Sequence, residues 1–259
     1  IHAVENAADH LTHFNLFFMP DFARPAYRDR VWHDSALTRF TAMEGSASRQ
    51  ALEARAALLH ILGLLAGKWP HTLAIQPGGV TKTPTPRDLV RIGASLRAFR
   101  RYLEEVLFGA SVEDFAALAT PMAFGAWDRG DAGLFCEIAS DLGLSHAGIG
   151  PGRYLSYGAY PLPDGSFGFA GGVWHKDLLR PVEPVRITED LSHAWMLGPT
   201  AHPHDGATLP DEDMRTTAYS WCKAPRYGGQ VVETGALARQ ITDGHPLALA
   251  FARAGGSGV

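Results

Sequence analysis

Residues 85–106 read TPRDLVRIGASLRAFRRYLEEV, and the chemistry of a helix is legible from the first residue of this stretch. Thr85 has the hydroxyl that an N-terminal amide needs, Pro86 suits the first helical position, and Asp88 completes a capping box three residues after the cap. Leu89, Ile92, Leu96, Phe99, Leu103 and Val106 then return every three or four residues, which makes one apolar face. Gly109 supplies a residue that can take the left-handed conformation at the end. Arg91, Arg97, Arg100 and Arg101 fall on the other side and read as a solvated face rather than a ligand-binding patch.

Working outward, residues 4–19 carry Val4, Ala7, Ala8, Leu11, Phe14 and Phe18 at helical spacing, and Pro20 ends the run. Residues 21–32, with Pro25 and alternating charges, read as a connecting loop over the surface, followed by a short helix at 37–43. A second long helix is expected from Ser48, as its cap, through Leu65 to a stop at Gly67. It is apolar nearly all round at 58–65, as a helix buried between others is. Residues 112–142 continue as a less regular helical stretch. At Gly143 the texture turns to glycine, proline and aromatics. Residues 154–160, the turn Pro163-Asp164-Gly165 and residues 167–174 read as a hairpin. The expectation is one domain over 1–259, mostly α within α+β, with a helical core at 1–142 and a strand-rich segment at 143–174.

The chain has 259 residues, 46% of them hydrophobic, and a formal net charge of −4, enough to bury a sizeable core. Lys and Arg are scattered, so neither nucleic acid nor an anionic membrane surface is an expected partner. The longest apolar run, 58–66, is interrupted by His60 and falls well short of the roughly 20 residues that span a bilayer. Cys136 and Cys222 are the two cysteines, and no Cys-x-x-Cys spacing supports a disulfide framework, zinc or an iron–sulfur cluster. A reducing, cytoplasmic setting is the expectation. A start at Ile1 without Met and an end in AGGSGV read as a fragment of a longer protein.

Three segments together carry a family resemblance. Asp9-His10-Leu11-Thr12-His13-Phe14 is similar to the two-histidine helix of nickel–iron hydrogenase large subunits. Gly67-Lys68-Trp69-Pro70-His71-Thr72, with Pro77-Gly78-Gly79-Val80-Thr81, resembles their Gly-Lys-x-Pro-His turn and the glycine pair after it. Tyr219-Ser220-Trp221-Cys222-Lys223-Ala224-Pro225-Arg226-Tyr227 and Glu233-Thr234-Gly235-Ala236-Leu237-Ala238-Arg239, together the 219–239 block, resemble the Trp-x-Lys-Ala-Pro-Arg motif and its continuation. Within the family, Leu16-Phe17-Phe18-Met19-Pro20-Asp21-Phe22 and the Lys68 and Trp221 segments look most like the hydrogen-sensing, regulatory group. Asn15, Leu73 and Ala236 depart from the residues usual at those places.

The resemblance implies a fold of long packed helices and activation of H2 by a nickel–iron centre with carbonyl and cyanide ligands. It also implies a small-subunit partner that carries iron–sulfur clusters. Four thiolates from two Cys-x-x-Cys pairs, near the ends of the full chain, hold the metals in that family, as thiolates suit nickel and low-spin iron. Neither pair is in these residues, so no metal ligand and no catalytic residue is assignable here.

His10 and His13, three apart on one helical face, read either as imidazoles bonding the local backbone or as neighbours of the centre or its nearest cluster. His71 reads as an exposed turn residue or, by the resemblance, as a donor to a cluster sulfur. Lys223 and Arg226 beside Pro225 suit an interior salt-bridge knot or a hold on acidic groups, with Glu233 a candidate proton relay. His193, His202 and His204 sit among prolines in an expected exposed loop and are not read as a metal site. A rival reading is a metal-free assembly scaffold or chaperone related to the large subunit, which would never own the cysteine pairs.

Overall fold

The longest helix, Ser46–Ala66, organises the first half of the molecule. In order, the computed structural model, which describes residues 1–213 and 215–256, has α1 His2–Thr12, α2 His33–Phe40, α3 Ser46–Ala66 and the strands β1 Ile75–Gln76 and β2 Gly79–Val80. Then come α4 Pro86–Tyr102, α5 Val112–Ala116, α6 Pro121–Gly125 and α7 Gly130–Leu142. The residues group into two compact units, Ile1–Ala147 and Gly148–Val259, where the sequence reading treats 1–259 as one domain. The boundary falls in the glycine-rich change of texture that begins at Gly143.

In the first unit, Ala8, Leu58 and Ile61 form a core with Val4, Ala7, Ile92 and Phe99 around it, so α1, α3 and α4 share their apolar faces. A second core joins Met19, Phe22, Trp32, Ala36, Phe40, Ala47 and Ile138. This corrects the surface-loop reading of residues 21–32. Phe22 and Trp32 are buried there, and the segment is held by short 3-10 turns at Met19–Ala23 and Pro25–Tyr27. Trp32 stays inside because its indole N–H donates to Asp141 Oδ2 at 2.8 Å, which satisfies its polar end. The C-terminal part of the 112–142 stretch is α7, whose start is set by a close crossing. Gly130 has φ +61, and a Cβ there would lie 2.5 Å from the Leu107 carbonyl oxygen, so only glycine fits.

The α4 reading holds in detail. Asp88 N–H donates to Thr85 Oγ1 at 3.2 Å, and Thr85 N–H donates to Asp88 Oδ2 at 3.0 Å. Gly109 closes the helical run at φ 64. The apolar face is only partly covered: Ile92 and Phe99 pack, while Leu89 and Leu96 stay exposed. The cap of α3 is a correction. Gly45 holds the N-cap position, and Ser48 is buried inside the first turn, where its hydroxyl donates to the Gly45 carbonyl at 2.9 Å.

Thr85→Ala is expected to lower stability by about 1 kcal/mol, since it orphans a helix amide. Thermal unfolding reads this directly, and an unmoved midpoint places the cap elsewhere. The backbone and side-chain bonds from Thr85 hold the Asp88 carboxyl below its ordinary range. Its contribution is therefore present above the usual carboxylate pKa and is lost as pH falls through the lowered value.

The second unit carries most of the strands: β3 Arg153–Ser156, β4 Ala159–Pro161, β5 Phe167–Phe169, β6 Gly172–His175, β7 Leu178–Arg180 and β8 Ile187–Asp190. They are followed by β9 Met196–Leu197, β10 Leu209–Pro210, β11 Ala224–Tyr227 and the helices α8 Ala236–Thr242 and α9 Pro246–Gly256. The expected hairpin is present, with Tyr154 opposite Trp174 and Ala159 opposite Phe169. Strands also continue past it to Tyr227, and β11 pairs with β8. One face of the β3-β6-β7 sheet is covered by α8 and α9, through Tyr154, Trp174, Ala238, Ile241, Ala248 and Ala252. Among the described residues no helix is long and apolar enough to cross a membrane.

Candidate functional site

The helix that begins at His2 does not stop at Thr12 but widens into a π-helical turn over His13–Phe18. The helix from Pro86 does the same over Leu103–Phe108. Such turns widen a helix locally and re-aim its side chains. Phe14 from the first and Leu107 and Phe108 from the second line one cavity of about 500 Å³, together with Phe99, Phe115 and Phe124. His10 and His13 line it too, so the structure brings these two candidates to one wall. Both are exposed, and the His13 ring lies parallel to Phe18 with centroids 6.1 Å apart. The size suits a small molecule and the lining suits an apolar one, with the two imidazoles as its polar groups.

Close to this wall lies a polar cluster that sequence reasoning missed. Arg39 donates to both carboxylate oxygens of Asp131, at 2.9 and 2.6 Å, and also to Ser46 Oγ at 2.7 Å and Gln50 Oε1 at 2.8 Å. Asp131 is buried. Asn15, noticed in the sequence only as a departure from the family pattern, is buried and donates to the Leu11 carbonyl at 3.0 Å. Its Oδ1 and the Tyr102 hydroxyl are both buried, near enough for Asn15 to act on the phenol but short of full hydrogen-bond geometry. Burial first and Asp131 second push the Tyr102 phenol well above its ordinary range, against Arg39. The signal available in the sequence was weak, because Arg39 and Asp131 stand 92 residues apart.

His71 sits alone in an exposed turn. Its backbone has φ 59 and follows a cis Trp69–Pro70 bond. Around it the turn is tethered: Trp69 donates its indole N–H to Glu5 Oε1 at 3.0 Å, Thr72 donates to the Ala66 carbonyl at 2.8 Å, and Lys82 donates to the Leu64 carbonyl at 2.6 Å. A fixed backbone under an exposed ring presents one imidazole to whatever covers that surface.

In the second unit, Lys223 and Arg226 come together at the paired strands β8 and β11, and there the knot reading describes what is seen. Lys223 Nζ donates to Glu189 Oε2 at 2.9 Å and to the Ala207 carbonyl at 3.0 Å. Arg226 stands 3.6 Å from Asp190 Oδ2 and donates to the Pro225 carbonyl at 2.9 Å. Glu233 is elsewhere, joined to β3: its N–H donates to the Arg153 carbonyl at 2.8 Å and its carbonyl accepts from Leu155 at 2.9 Å. Its charge raises the Tyr154 phenol, after burial as the larger cause. His193 stacks on Tyr219 at 5.6 Å, and His202 Nδ1 accepts from the His204 amide at 3.1 Å.

The residues at hand do not form a nickel–iron centre. Cys136 is buried, its thiol donates to the Phe124 carbonyl at 3.3 Å, and burial pushes that thiol up, away from the thiolate a metal needs. Cys222 is exposed. Among the described residues no group of three His, Cys, Asp or Glu side chains is arranged to hold a metal ion.

A family model described as nickel-dependent hydrogenase matches residues 46–246, more than half of the chain. The chain is 27% identical over 213 residues to the quinone-reactive Ni/Fe-hydrogenase large chain of Wolinella succinogenes, covering 73% of this chain and 34% of that protein. It is 26% identical to the uptake hydrogenase large subunit of Cupriavidus necator, covering 80% of this chain and 36% of that one. Among solved structures, the reduced Ni-Fe-Se hydrogenase of D. vulgaris Hildenborough superposes with a TM-score of 0.71 at 23% identity, over 92% of this chain and 47% of its own. That likeness fixes the fold. The chain spans about a third of the length of the two relatives.

Proposed function

The chain belongs to the nickel-dependent hydrogenase large-subunit family, and from that premise we propose that it is the central part of a subunit that activates H2, yielding protons and electrons for hydrogen sensing or uptake. The observation that carries the reading is the family match over 46–246, which takes in both the Lys68–His71 turn and the Trp221–Arg226 block. The nickel–iron centre, with its carbonyl and cyanide ligands, belongs to the complete subunit, and its thiolates come from parts of that subunit outside these residues. This stretch alone is inactive. A small subunit with iron–sulfur clusters is the partner, and the cytoplasm is the setting. The sensing branch rests on the segments around Leu16–Phe22, Lys68–His71 and Trp221–Lys223.

In this reading the His10 and His13 wall lies beside the centre or its nearest cluster without ligating metal. The presented imidazole of His71 donates to a cluster sulfur, which stabilises the reduced state. Lys223 and Arg226 hold the strands that carry the Trp221 segment, and Glu233 is the weakest of the candidates because its visible work is in the β3 pairing. The test is co-expression of the complete reading frame with its small subunit, followed by H2-dependent reduction of a viologen dye. Turnover supports the proposal. A complete frame without two Cys-x-x-Cys pairs, and without dye reduction, replaces it with the assembly scaffold.

A further inference from the structure

Strand register fixes which side chains share the open face of the β3-β6-β7 sheet. Arg153 stands opposite His175, His175 opposite Leu178, and Val173 opposite Arg180. Because side chains alternate along a strand, Tyr154 and Trp174 go to the other face, where they are buried against α8 and α9. The open face thus carries Arg153 and Arg180, with His175, Val173 and Leu178 between them. It forms one wall of a cavity of about 380 Å³, which Lys176, Glu183, Arg186 and Tyr227 complete.

The charge in this cavity is lopsided. Arg153, Lys176, Arg180 and Arg186 are permanent cations, and Glu183 is the carboxylate among its lining residues, 3.3 Å from Arg186. The chain as a whole has a net charge of −4, so the concentration of positive charge here does not follow from composition. Like charges directly opposite one another across a strand pair destabilise a sheet, and Arg153 stands opposite His175, so this position disfavours a protonated imidazole. Burial first, then Arg153 and Lys176, drives the His175 imidazole below its ordinary range.

The walls are also partly built before any ligand arrives. The Arg186 guanidinium lies over the Tyr227 ring at 4.8 Å, and the Tyr227 hydroxyl accepts from the Glu183 amide at 3.1 Å. Guanidinium groups held in this way present a planar fork of donors suited to carboxylate or phosphate, at a reduced loss of side-chain freedom on binding. Val173, Leu178 and Val232 give the same cavity an apolar side.

We propose that this cavity in the second unit is a binding site for a small organic anion carrying at least two negative charges, an organic phosphate or a polycarboxylate, with a short apolar body against Val173 and Leu178. A bound anion offsets the charges of Arg153 and Lys176 and so draws a proton back onto the imidazole.

Calorimetric titration of the 259-residue chain with phenyl phosphate and with citrate, potassium chloride serving as the control anion, tests this. Saturable binding of at least one probe is expected, with Kd on the order of 0.1–1 mM and weaker as salt is added. The probe that binds distinguishes phosphate from polycarboxylate as the source of charge. Arg180→Gln, on an exposed strand, is expected to weaken binding about tenfold, while Arg97→Gln on α4 leaves it unchanged. As a readout independent of any variant, the His175 ring resonances should titrate at higher pH with the bound probe than without it. Absence of saturable binding by both probes, equal binding by Arg180→Gln, or an unmoved His175 titration overturns the proposal.

Discussion

Asp131→Ala is expected to destabilise the first unit by about 3–5 kcal/mol, the range found when one partner of a buried ion pair is removed. Asp131 is 5% exposed, and the side chain of Arg39 is 23% exposed, so neither is a surface ion whose pairing water would replace. The loss is large because Arg39 cannot simply turn outward. Its other nitrogen is engaged by Ser46 and Gln50 at the start of α3, and releasing it gives up those bonds as well. Asp131 also lies in the first turn of α7, where its charge opposes the helix dipole favourably, a smaller effect of about 0.3–1 kcal/mol. Chemical denaturation of the chain and the variant measures the sum. A loss below about 1 kcal/mol would reduce the pair to the worth of a surface contact. The double variant Arg39→Met/Asp131→Leu is expected to lose less than Asp131→Ala, because it leaves no unpaired charge behind.

This pair also shows where the sequence stops being informative. The α4 helix was legible to the residue because its signals are local: Thr85, Pro86 and Asp88 act on one another within a turn, and Gly109 ends the run by its own backbone freedom. The hairpin around Pro163-Asp164-Gly165 was legible for the same reason, though its register was not. Ser48 misled because a serine near a helix start can bond backward from inside the first turn as well as cap. Residues 21–32 misled because charge and proline do suggest a surface path, while Phe22 and Trp32 carry the apolar surface that pulls the segment in. Strands of two to four residues such as β7 to β11 are too short to establish a period.

The candidate site divides along the same line. The spacing of His10 and His13 puts them on one helical face, and both line one cavity, while Lys223 and Arg226 read as a possible knot. Their partners Glu189 and Asp190 lie more than thirty residues earlier and carry no mark in the sequence. Arg39, Asp131 and the buried Tyr102 hydroxyl belong to the same class, as does the gathering of Arg153 and Arg180 on one face, which exists only once the β3-β6-β7 register is known.

The largest effect expected of this protein is all-or-none and concerns metal. A nickel–iron centre needs several deprotonated thiols converging on one point. Cys136 is occupied with the Phe124 carbonyl and disfavoured as a thiolate by burial, while Cys222 is exposed. The imidazoles that share the cavity wall are two, fewer than the three or four protein ligands usual in a closed metal site. The chain alone should therefore purify without bound nickel, and the complete subunit, matured with its partner, should hold one nickel ion per chain. Elemental analysis of both after gel filtration is the most direct measurement of whether these residues are the scaffold around a hydrogenase centre whose ligands lie elsewhere in the subunit. Stoichiometric nickel in the complete subunit and none in the 259-residue chain is the predicted result. Stoichiometric nickel in the short chain, or none in the mature complete subunit, would contradict it.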